Sequence, residues 1–316
     1  FNVLFGQRIF GAKNWISIGP LSLQPSELVK IAFILAGAAT LDRLFAKRNL
    51  IFTVLFSAYC VGCLALMSDF GTALVFFVAF LCIAFLRTGD LPSIVMMTAA
   101  AGFAGGLMLH FKPYIADRFT VWHHAWEFAQ STGYQQTRTM SAVASGGLFG
   151  AGPTDAWLKY VGAANTDLVF GVVSEEFGLL LALCAVAAII LIAVFAITSA
   201  ATARSSFYTI ASCAAAAMLT VQVTLNTLGS VDLLPLTGVT FPFVSMGGSS
   251  MLSCWSLMAF LKAADTRQNA SFALRLPKRR PKTKPEPPKA KPSNGFFDEI
   301  PDIPVDEIFG KEDKPE

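Results

Sequence analysis

Three carboxylates stand close to the start of a long apolar stretch in the segment NTDLVFGVVSEEFG, residues 165–178. A carboxylate held in a partly desolvated cavity has a raised pKa and can act as a general base. The simpler interpretation is that an acid at a helix start is stabilised by the helix dipole. That explanation suits Asp167, but it accounts less well for Glu175 and Glu176, which lie beyond the first turn.

Two further segments place charged groups at the start of apolar stretches. In LSLQPSELVK, Pro25 suits the first helical position, Glu27 follows in the first turn, and Lys30 lies on the same face as Glu27. This pair is either a local ion pair or part of a polar groove. In DFGTAL, Asp69 can cap a helix that begins near Thr72.

The segment LPLTGVTFPFVSMGGSSM, residues 234–251, is rich in proline and glycine. Backbone bent in this way is tolerated at membrane depth only where it is buried in protein or lines a cavity. We expect Ser245, Ser249 and Ser250 to face such a cavity. Asn226, on the preceding apolar stretch, offers an amide for hydrogen bonds between helices.

These residues must be positioned by membrane helices, because the chain is far more apolar than a soluble domain. Of its 316 residues, 54% are hydrophobic and only 14% are charged, and the mean hydropathy is +0.57. Six cysteines fall within apolar runs, so disulfides are not expected. The net charge of +3 is small and unevenly distributed, so it says little about nucleic acid and more about topology. We expect no nucleic-acid partner.

Seven apolar stretches are candidates for membrane spans. They run approximately over Glu27 to Phe45, Leu50 to Met67, Thr72 to Leu86, Pro92 to Phe111, Leu168 to Ile197, Phe207 to Val231 and Phe243 to Ala263. Basic residues, which are retained on the cytoplasmic side, follow the first, third, fifth and seventh stretches. The loop 112–167 is therefore predicted to lie outside and the C-terminus in the cytoplasm.

We divide the chain into a membrane domain, residues 1–264, and a tail, residues 265–316. The tail is proline-rich, basic and then acidic, a composition typical of disorder. It is either a solvated tail or one whose basic half contacts anionic membrane lipids and whose acidic end docks a cytoplasmic partner. Because the chain begins with Phe1, we expect it to lack the N-terminal part of a longer protein.

Five segments, taken in order, resemble the signature blocks of the SEDS family, the RodA/FtsW/SpoVE group. They are GAKNWISIGPLSLQPSELVK, DFGTAL, GYQQTRTMSAVASGGLFGAGP, NTDLVFGVVSEEFG and LPLTGVTFPFVSMGGSSM. The resemblance covers Gly11 to about Ala263. It implies an all-α polytopic membrane protein, a SEDS-type helix bundle in which this chain holds all but the first three of the family's transmembrane helices.

The resemblance also implies a peptidoglycan glycosyltransferase of the bacterial cytoplasmic membrane. Such an enzyme polymerises lipid II, a polyprenyl-diphosphate-linked disaccharide-peptide, during cell elongation, division or sporulation, beside a class B penicillin-binding protein. The catalytic carboxylate falls on Asp167, which would accept a proton from the acceptor sugar 4-hydroxyl. A divalent cation, Mg²⁺ or Mn²⁺, would neutralise the pyrophosphate.

Further site residues come from the same blocks, apart from Arg118, Lys159 and Asn226, which lie outside them and are chosen for their charge or amide group. Substrate-binding positions are Trp15, Gln24, Ser26, Glu27, Lys30, Ser245, Gly247, Gly248 and Ser249, with Arg118, Arg138 and Lys159 as candidates for phosphate contacts. Supporting positions are Asp69, Thr72, Glu175, Glu176 and Asn226.

The chain departs from the family pattern at two polar positions. Asn14 stands where an Arg is usual, and Asn165 stands where a His is common. Two alternatives therefore remain beside the enzyme. One is a transporter that flips lipid-linked precursors, which broken helices and carboxylates at the membrane would also suit. The other is a catalytically degenerate scaffold for a penicillin-binding protein.

Overall fold

The computed structural model describes residues 7–9, 12–18, 21–42, 47–111, 113–201, 203 and 205–265. Within these ranges the chain is mainly helical, as predicted. The helices are α1 (Pro25–Asp42), α2 (Lys47–Leu66), α3 (Phe70–Thr88), α4 (Leu91–Phe111), α5 (Pro113–Val121), α6 (Tyr134–Gly146), α7 (Val169–Phe177), α8 (Leu179–Ala200), α9 (Ser206–Ser230) and α10 (Gly248–Ala264). The predictions for the tail concern residues that lie outside the described part of the chain, apart from Asp265.

A small antiparallel sheet precedes the helices, which the sequence analysis did not predict. Its strands are β1 (Gln7–Ile9), β2 (Ala12–Ile18) and β3 (Leu21–Leu23), in the order β1-β2-β3. Ile16 of β2 pairs with Leu23 of β3. The sheet leads directly into α1, so that β2 reaches the same end of the bundle as the first turn of α1.

Helix α9 is central to the bundle, because it packs against α1, α3 and α8. Many of its buried positions carry Ala, Ser or Gly, and Ala211, Ala214 and Ala215 are fully buried. Small residues let neighbouring helix backbones approach closely in a membrane, where apolar side chains gain little from burial against one another. The close packing fixes the position of Asn226, which is buried near the end of α9.

The predicted span from Leu168 to Ile197 is wrong as a single helix. It is broken at Gly178, where φ is +92° and ψ is 157°, into the short α7 and the long α8. Only glycine adopts this conformation readily, so the backbone can turn there while the run of apolar side chains continues. Hydropathy alone gave no sign of the break.

Three helices of the described chain are long and apolar enough to cross a membrane. They are α3, α8 and α9. Shorter apolar helical stretches cover Ile51–Leu66 and Leu91–Leu107. The chain is thus an α-helical, multi-pass membrane protein, while the count of seven spans stays a prediction.

Candidate active site

A polar cavity of about 300 Å³ lies where α1, α3, α7 and α10 begin. Most of its walls come from β2, these helix starts, α5 and the segment 237–247. Its lining residues are Asn14, Trp15, Gln24, Glu27, Ser68, Asp69, Thr72, Arg118, Ala163, Thr166, Asp167, Thr237, Gly238, Val239, Thr240, Met246, Gly247 and Ser250. Ionisable groups gathered inside a membrane helix bundle mark a functional site by default.

Asp167 lies in the cavity wall directly before α7, and its side chain is only partly exposed. The pKa of its carboxyl group is raised from 3.8 to about 6, chiefly by burial and to a smaller degree by the charge of Asp69. A hydrogen bond with Thr166 and the nearby Arg118 guanidinium lower the same pKa. At neutral pH the carboxylate is therefore mostly ionised, yet more basic than a carboxylate in water, as a general base requires.

The backbone around Asp167 is held by two side chains from neighbouring segments. Asn226 of α9 donates from Nδ2 to the carbonyl oxygens of Asp167, at 2.9 Å, and Val239, at 2.7 Å. Ser245 donates from Oγ to the carbonyl oxygen of Thr166 at 2.5 Å. These bonds join the residues before α7 to the segment before α10, so the backbone that carries the Asp167 carboxylate is held in position.

Gly238 lets this segment approach the carboxylate closely. Its φ is +70°, and a Cβ atom at this position would lie 3.1 Å from Oδ2 of Asp167. A side chain here would strain the backbone and crowd the base. The glycine therefore contributes to the space in which a substrate hydroxyl can reach Asp167.

The second carboxylate of the cavity, Asp69, is held by three donors. Its Oδ2 accepts hydrogen bonds from Asn14 Nδ2 at 2.8 Å and from Gln24 Nε2 at 3.3 Å. Its Oδ1 accepts from the Thr72 amide at 3.2 Å, which caps α3 as predicted. Asn14 therefore contacts Asp69 through a neutral amide at the position where the resembled family carries a cation.

Two cations lie in or close to the cavity. Arg118 of α5 lines it and donates from Nη1 to the carbonyl oxygen of Leu236 at 2.6 Å. Lys30 is 1% exposed, and its Nζ lies 2.6 Å from Oε2 of Glu27, so the predicted ion pair is present. Glu27 lines the cavity, whereas Lys30 lies behind it. Arg118 is thus the cationic side chain that the described part of the chain presents to this space.

Other predicted residues surround the cavity without lining it. Oγ of Ser249 accepts a hydrogen bond from the backbone amide of Gln24 at 3.3 Å. Ser245 and Asn226 act on the backbone before α7, so here they position the site instead of facing a substrate. Ser26 and Gly248 also lie outside the lining. The predicted residues that do line the cavity are Trp15, Gln24, Glu27, Asp69, Thr72, Arg118, Asp167, Gly247 and Ser250.

Arg138 and Lys159 are placed away from the cavity lining. The Arg138 guanidinium lies 5.2 Å from the centre of the Tyr134 ring. Lys159 donates from Nζ to the carbonyl oxygen of Pro153 at 2.7 Å and lies 5.4 Å from the Tyr160 ring centre. The phosphate contacts predicted for these two residues therefore gain no support from the cavity.

Glu175 has a structural role that differs from the expected one. Its carboxylate accepts hydrogen bonds from the backbone amides of Trp157, at 3.1 Å, and Leu158, at 2.9 Å. Asp167 itself lies outside the helix that carries Glu175, because α7 begins at Val169. Glu175 therefore anchors the outer loop to α7.

The glycine-rich run GGLFGAG, residues 146–152, packs across the break between α7 and α8. The amides of Ala151 and Gly152 donate to the carbonyl oxygens of Glu175, at 2.8 Å, and Glu176, at 3.1 Å. The first two amides of α8 donate back to carbonyl oxygens of the same run. Backbone groups freed by the break are thus satisfied inside the protein, as a membrane requires.

Some cavity residues were missed by the sequence analysis. Thr166 precedes the catalytic candidate directly, and its place in that block was a usable signal. Thr237 and Val239 lie in the proline- and glycine-rich segment that was predicted to line a cavity, but nothing in the sequence distinguished these two residues from their neighbours. Met246, in the same segment, also lines the wall.

Fold and cavity together define a helical, multi-pass membrane protein with an enzyme-like polar site. Comparison with known proteins places it more closely. The family described as "Cell cycle protein", the FtsW/RodA/SpoVE group, matches residues 1–270. The chain belongs to this family, as its sequence blocks predicted.

Curated relatives of the chain are named as peptidoglycan glycosyltransferases. A probable peptidoglycan glycosyltransferase FtsW of Coxiella burnetii is 32% identical over 278 residues, which cover 84% of this chain and 74% of that protein. The peptidoglycan glycosyltransferase RodA of Mycobacterium leprae is 30% identical over 271 residues, 79% of this chain and 57% of that protein. These relatives support the predicted glycosyltransferase over a transporter or a scaffold.

Solved structures show the same fold. A chain from a structure described as "Structural coordination of polymerization and crosslinking by a peptidoglycan synthase complex" superposes with a TM-score of 0.68 at 24% identity, covering 82% of this chain and 75% of that chain. The rod shape determining protein RodA of Thermus thermophilus superposes with a TM-score of 0.58, also at 24% identity, covering 82% and 71%. The helix bundle predicted from the sequence is confirmed.

Proposed function

We propose that this chain forms the membrane domain of a peptidoglycan glycosyltransferase that polymerises lipid II at the outer face of the bacterial cytoplasmic membrane. The observation that carries the proposal is the pairing of Asp167 with Arg118 across one cavity, in a chain of this family. A base and a cation are the two groups that the reaction needs. The base takes the proton of the attacking hydroxyl, and the cation stabilises the leaving pyrophosphate.

In the proposed reaction, Asp167 accepts the proton of the acceptor 4-hydroxyl as that oxygen attacks the anomeric carbon of the donor. The bond from the anomeric carbon to the diphosphate oxygen breaks, and polyprenyl pyrophosphate leaves. Arg118 faces the charge that develops on this leaving group. Bonds from Asn226 and Ser245 hold the backbone that carries the carboxylate, which reduces the reorganisation needed in the transition state.

Helix starts add to the positive potential of the cavity. α1, α3, α7 and α10 all begin at its walls. Free amides and the helix dipole make each such end favourable for anions. A diphosphate group is therefore a suitable occupant, even though the acids Asp69 and Asp167 share the space.

A divalent cation, Mg²⁺ or Mn²⁺, remains a proposal. In the described residues no group of three or more His, Cys, Asp or Glu side chains converges to hold a metal ion. Magnesium is often bound through one or two carboxylates together with substrate phosphates. The residues present suit that arrangement, with Asp69 supplying a protein oxygen and the diphosphate of the substrate supplying others.

The distribution of charge supports a cavity on the outer side. α3 and α10 begin at the cavity and carry Arg87 and Lys262 in their last turns, at their other ends. Basic residues are retained in the cytoplasm, so the cavity faces outward and the C-terminus lies inside. A class B penicillin-binding transpeptidase is the proposed partner, because new glycan strands need crosslinking at the same surface.

The test is lipid II polymerisation by the full-length protein with its transpeptidase partner, followed by gel analysis of the glycan product. Asp167→Asn removes the base, and we expect activity to fall about 100-fold or more. Asp155→Asn is the matched control, because Asp155 is an exposed acid of the same outer loop. Full activity of Asp167→Asn would overturn the assignment, and precursor transfer across vesicles without polymer would indicate a transporter.

A further inference from the structure

Asp232 forms a side-chain connection between the end of α9 and the outer loop. One oxygen, Oδ1, accepts hydrogen bonds from the His123 backbone amide at 3.1 Å and from Gln136 Nε2 at 2.8 Å. Gln136 is buried and also donates to the carbonyl oxygen of Gly229 at 3.2 Å. Three separate parts of the chain, namely the turn after α5, helix α6 and the end of α9, therefore meet at this carboxylate.

The contact is made by two residues in an unusual backbone conformation. His123 has a φ of +63° and Asp232 a φ of +64°. Non-glycine residues adopt the left-handed region only at a cost, and they keep it where the surroundings over-determine it. In this pair the cost is offset by a hydrogen bond that joins the two residues directly.

Residues 232–236, which follow α9, also bind α5, the helix that carries Arg118. Trp122 Nε1 donates to the carbonyl oxygen of Leu233 at 3.2 Å, and Arg118 itself donates to that of Leu236 at 2.6 Å. Buried Val121 also packs α5 against the protein, but apolar packing is non-directional. The hydrogen bonds to residues 232–236 are directional, so they contribute to the rotation of α5 and to the direction of the arginine.

We propose that Asp232 is a positioning residue, which latches α5 onto residues 232–236 and so keeps Arg118 in the cavity opposite Asp167. This inference rests on the proposed glycosyltransferase function. Asp232 does not line the cavity, so its influence on the reaction passes through Arg118. Loss of the latch weakens the hold on the diphosphate of the substrate. It also withdraws the positive charge that lowers the pKa of Asp167.

The decisive variants are Asp232→Ala and Asp232→Asn in the full-length protein with its transpeptidase partner. Asp232→Ala loses the shared acceptor, and we expect KM for lipid II to rise about tenfold. The acid limb of its pH profile should also move to higher pH. Asp232→Asn keeps an Oδ1 acceptor, so both quantities should stay close to those of the unchanged protein, as they should in the control Asp155→Ala. Equal KM and equal pH profiles for Asp232→Ala and the unchanged protein would overturn the proposal.

A second measurement separates the latch from the proposed function. Hydrogen exchange at the His123 amide reports the bond to Asp232 without any need for catalysis, and it should accelerate in Asp232→Ala but not in Asp155→Ala. Unchanged exchange refutes the latch, while absence of polymer from the unchanged protein refutes the function instead. If Asp232→Ala does not fold, Gln136→Leu removes one donor to the same oxygen and should still raise KM. An unchanged KM there overturns the proposal.

Discussion

Asp167 shows how a membrane protein can keep a carboxylate both ionised and basic. Burial pushes its pKa upward, and the Thr166 hydrogen bond and the Arg118 charge pull it back, so that it lies at about 6. Without these two groups the acid would be protonated over more of the neutral range and could not accept a proton. Without burial it would be as weak a base as a carboxylate in water. Its reactivity is therefore a property of its neighbours.

The rate of polymerisation should follow the ionisation of this residue. Because the base must be deprotonated, kcat/KM should rise with pH, with its midpoint near the pKa of Asp167 at about 6, and level off at higher pH. Arg118→Gln should move this rise to higher pH, because a charge that favours the carboxylate is lost. Initial rates of lipid II polymerisation across this pH range test both statements.

Arg138→Gln is the matched control for the arginine substitution. Arg138 lies against the Tyr134 ring and does not line the cavity, so its removal should leave the pH midpoint unchanged. A profile that is flat through pH 6 in the unchanged protein would contradict the role of Asp167. An Arg138→Gln shift equal to that of Arg118→Gln would contradict the role of Arg118.

At the scale of single residues, the sequence predicts which positions belong to the site more reliably than it predicts the directions of their side chains. Asp167, Gln24 and Asp69 were placed correctly in one site because they belong to ordered family blocks. Arg118 and Lys159 were chosen on charge alone, and only Arg118 lines the cavity. Charge does not reveal direction, which depends on local contacts such as the bond from Lys159 to a loop carbonyl.

Among the elements, the break between α7 and α8 has the largest effect on the site. It separates a half-helix that begins beside Asp167 from a long helix that can cross the membrane. Sequence analysis treated both as one span, because apolar side chains continue through the break. The signal that was available was Gly178 beside two acids, and its backbone conformation became evident only in three dimensions.

Gly178→Ala should disrupt the fold more than an ordinary glycine substitution. Its φ of +92° is unfavourable for alanine, and a Cβ atom would lie 2.3 Å from the Leu148 carbonyl oxygen. We expect a clear drop in the melting temperature of the detergent-solubilised protein. Gly106→Ala in α4 is the control, because its Cβ would meet nothing within 4 Å, and it should be neutral or slightly stabilising. Equal melting temperatures for the two variants would contradict this account.

Over the whole molecule, backbone strain is concentrated near the cavity. The non-glycine residues with positive φ in the described ranges are Ser68, His123, Ala163, Asp232 and Phe243. Ser68 and Ala163 line the cavity, and His123 and Asp232 form the proposed latch. Such conformations persist only where surrounding structure holds them, so the site is organised before substrate arrives. Fold class and family could be predicted from composition and block order, whereas this strain depends on tertiary contacts.

The cavity lies where helices begin, at one end of the bundle, and this has an energetic consequence. Moving one elementary charge across a membrane at 100 mV costs about 2.3 kcal/mol. A proton that passes from substrate to Asp167 and then to the outer water crosses little of that voltage. Glycan synthesis would thus be driven by the diphosphate bond alone, and collapsing the voltage of sealed vesicles with an ionophore should leave its rate unchanged. A rate that followed the voltage would place Asp167 deep within the membrane field instead.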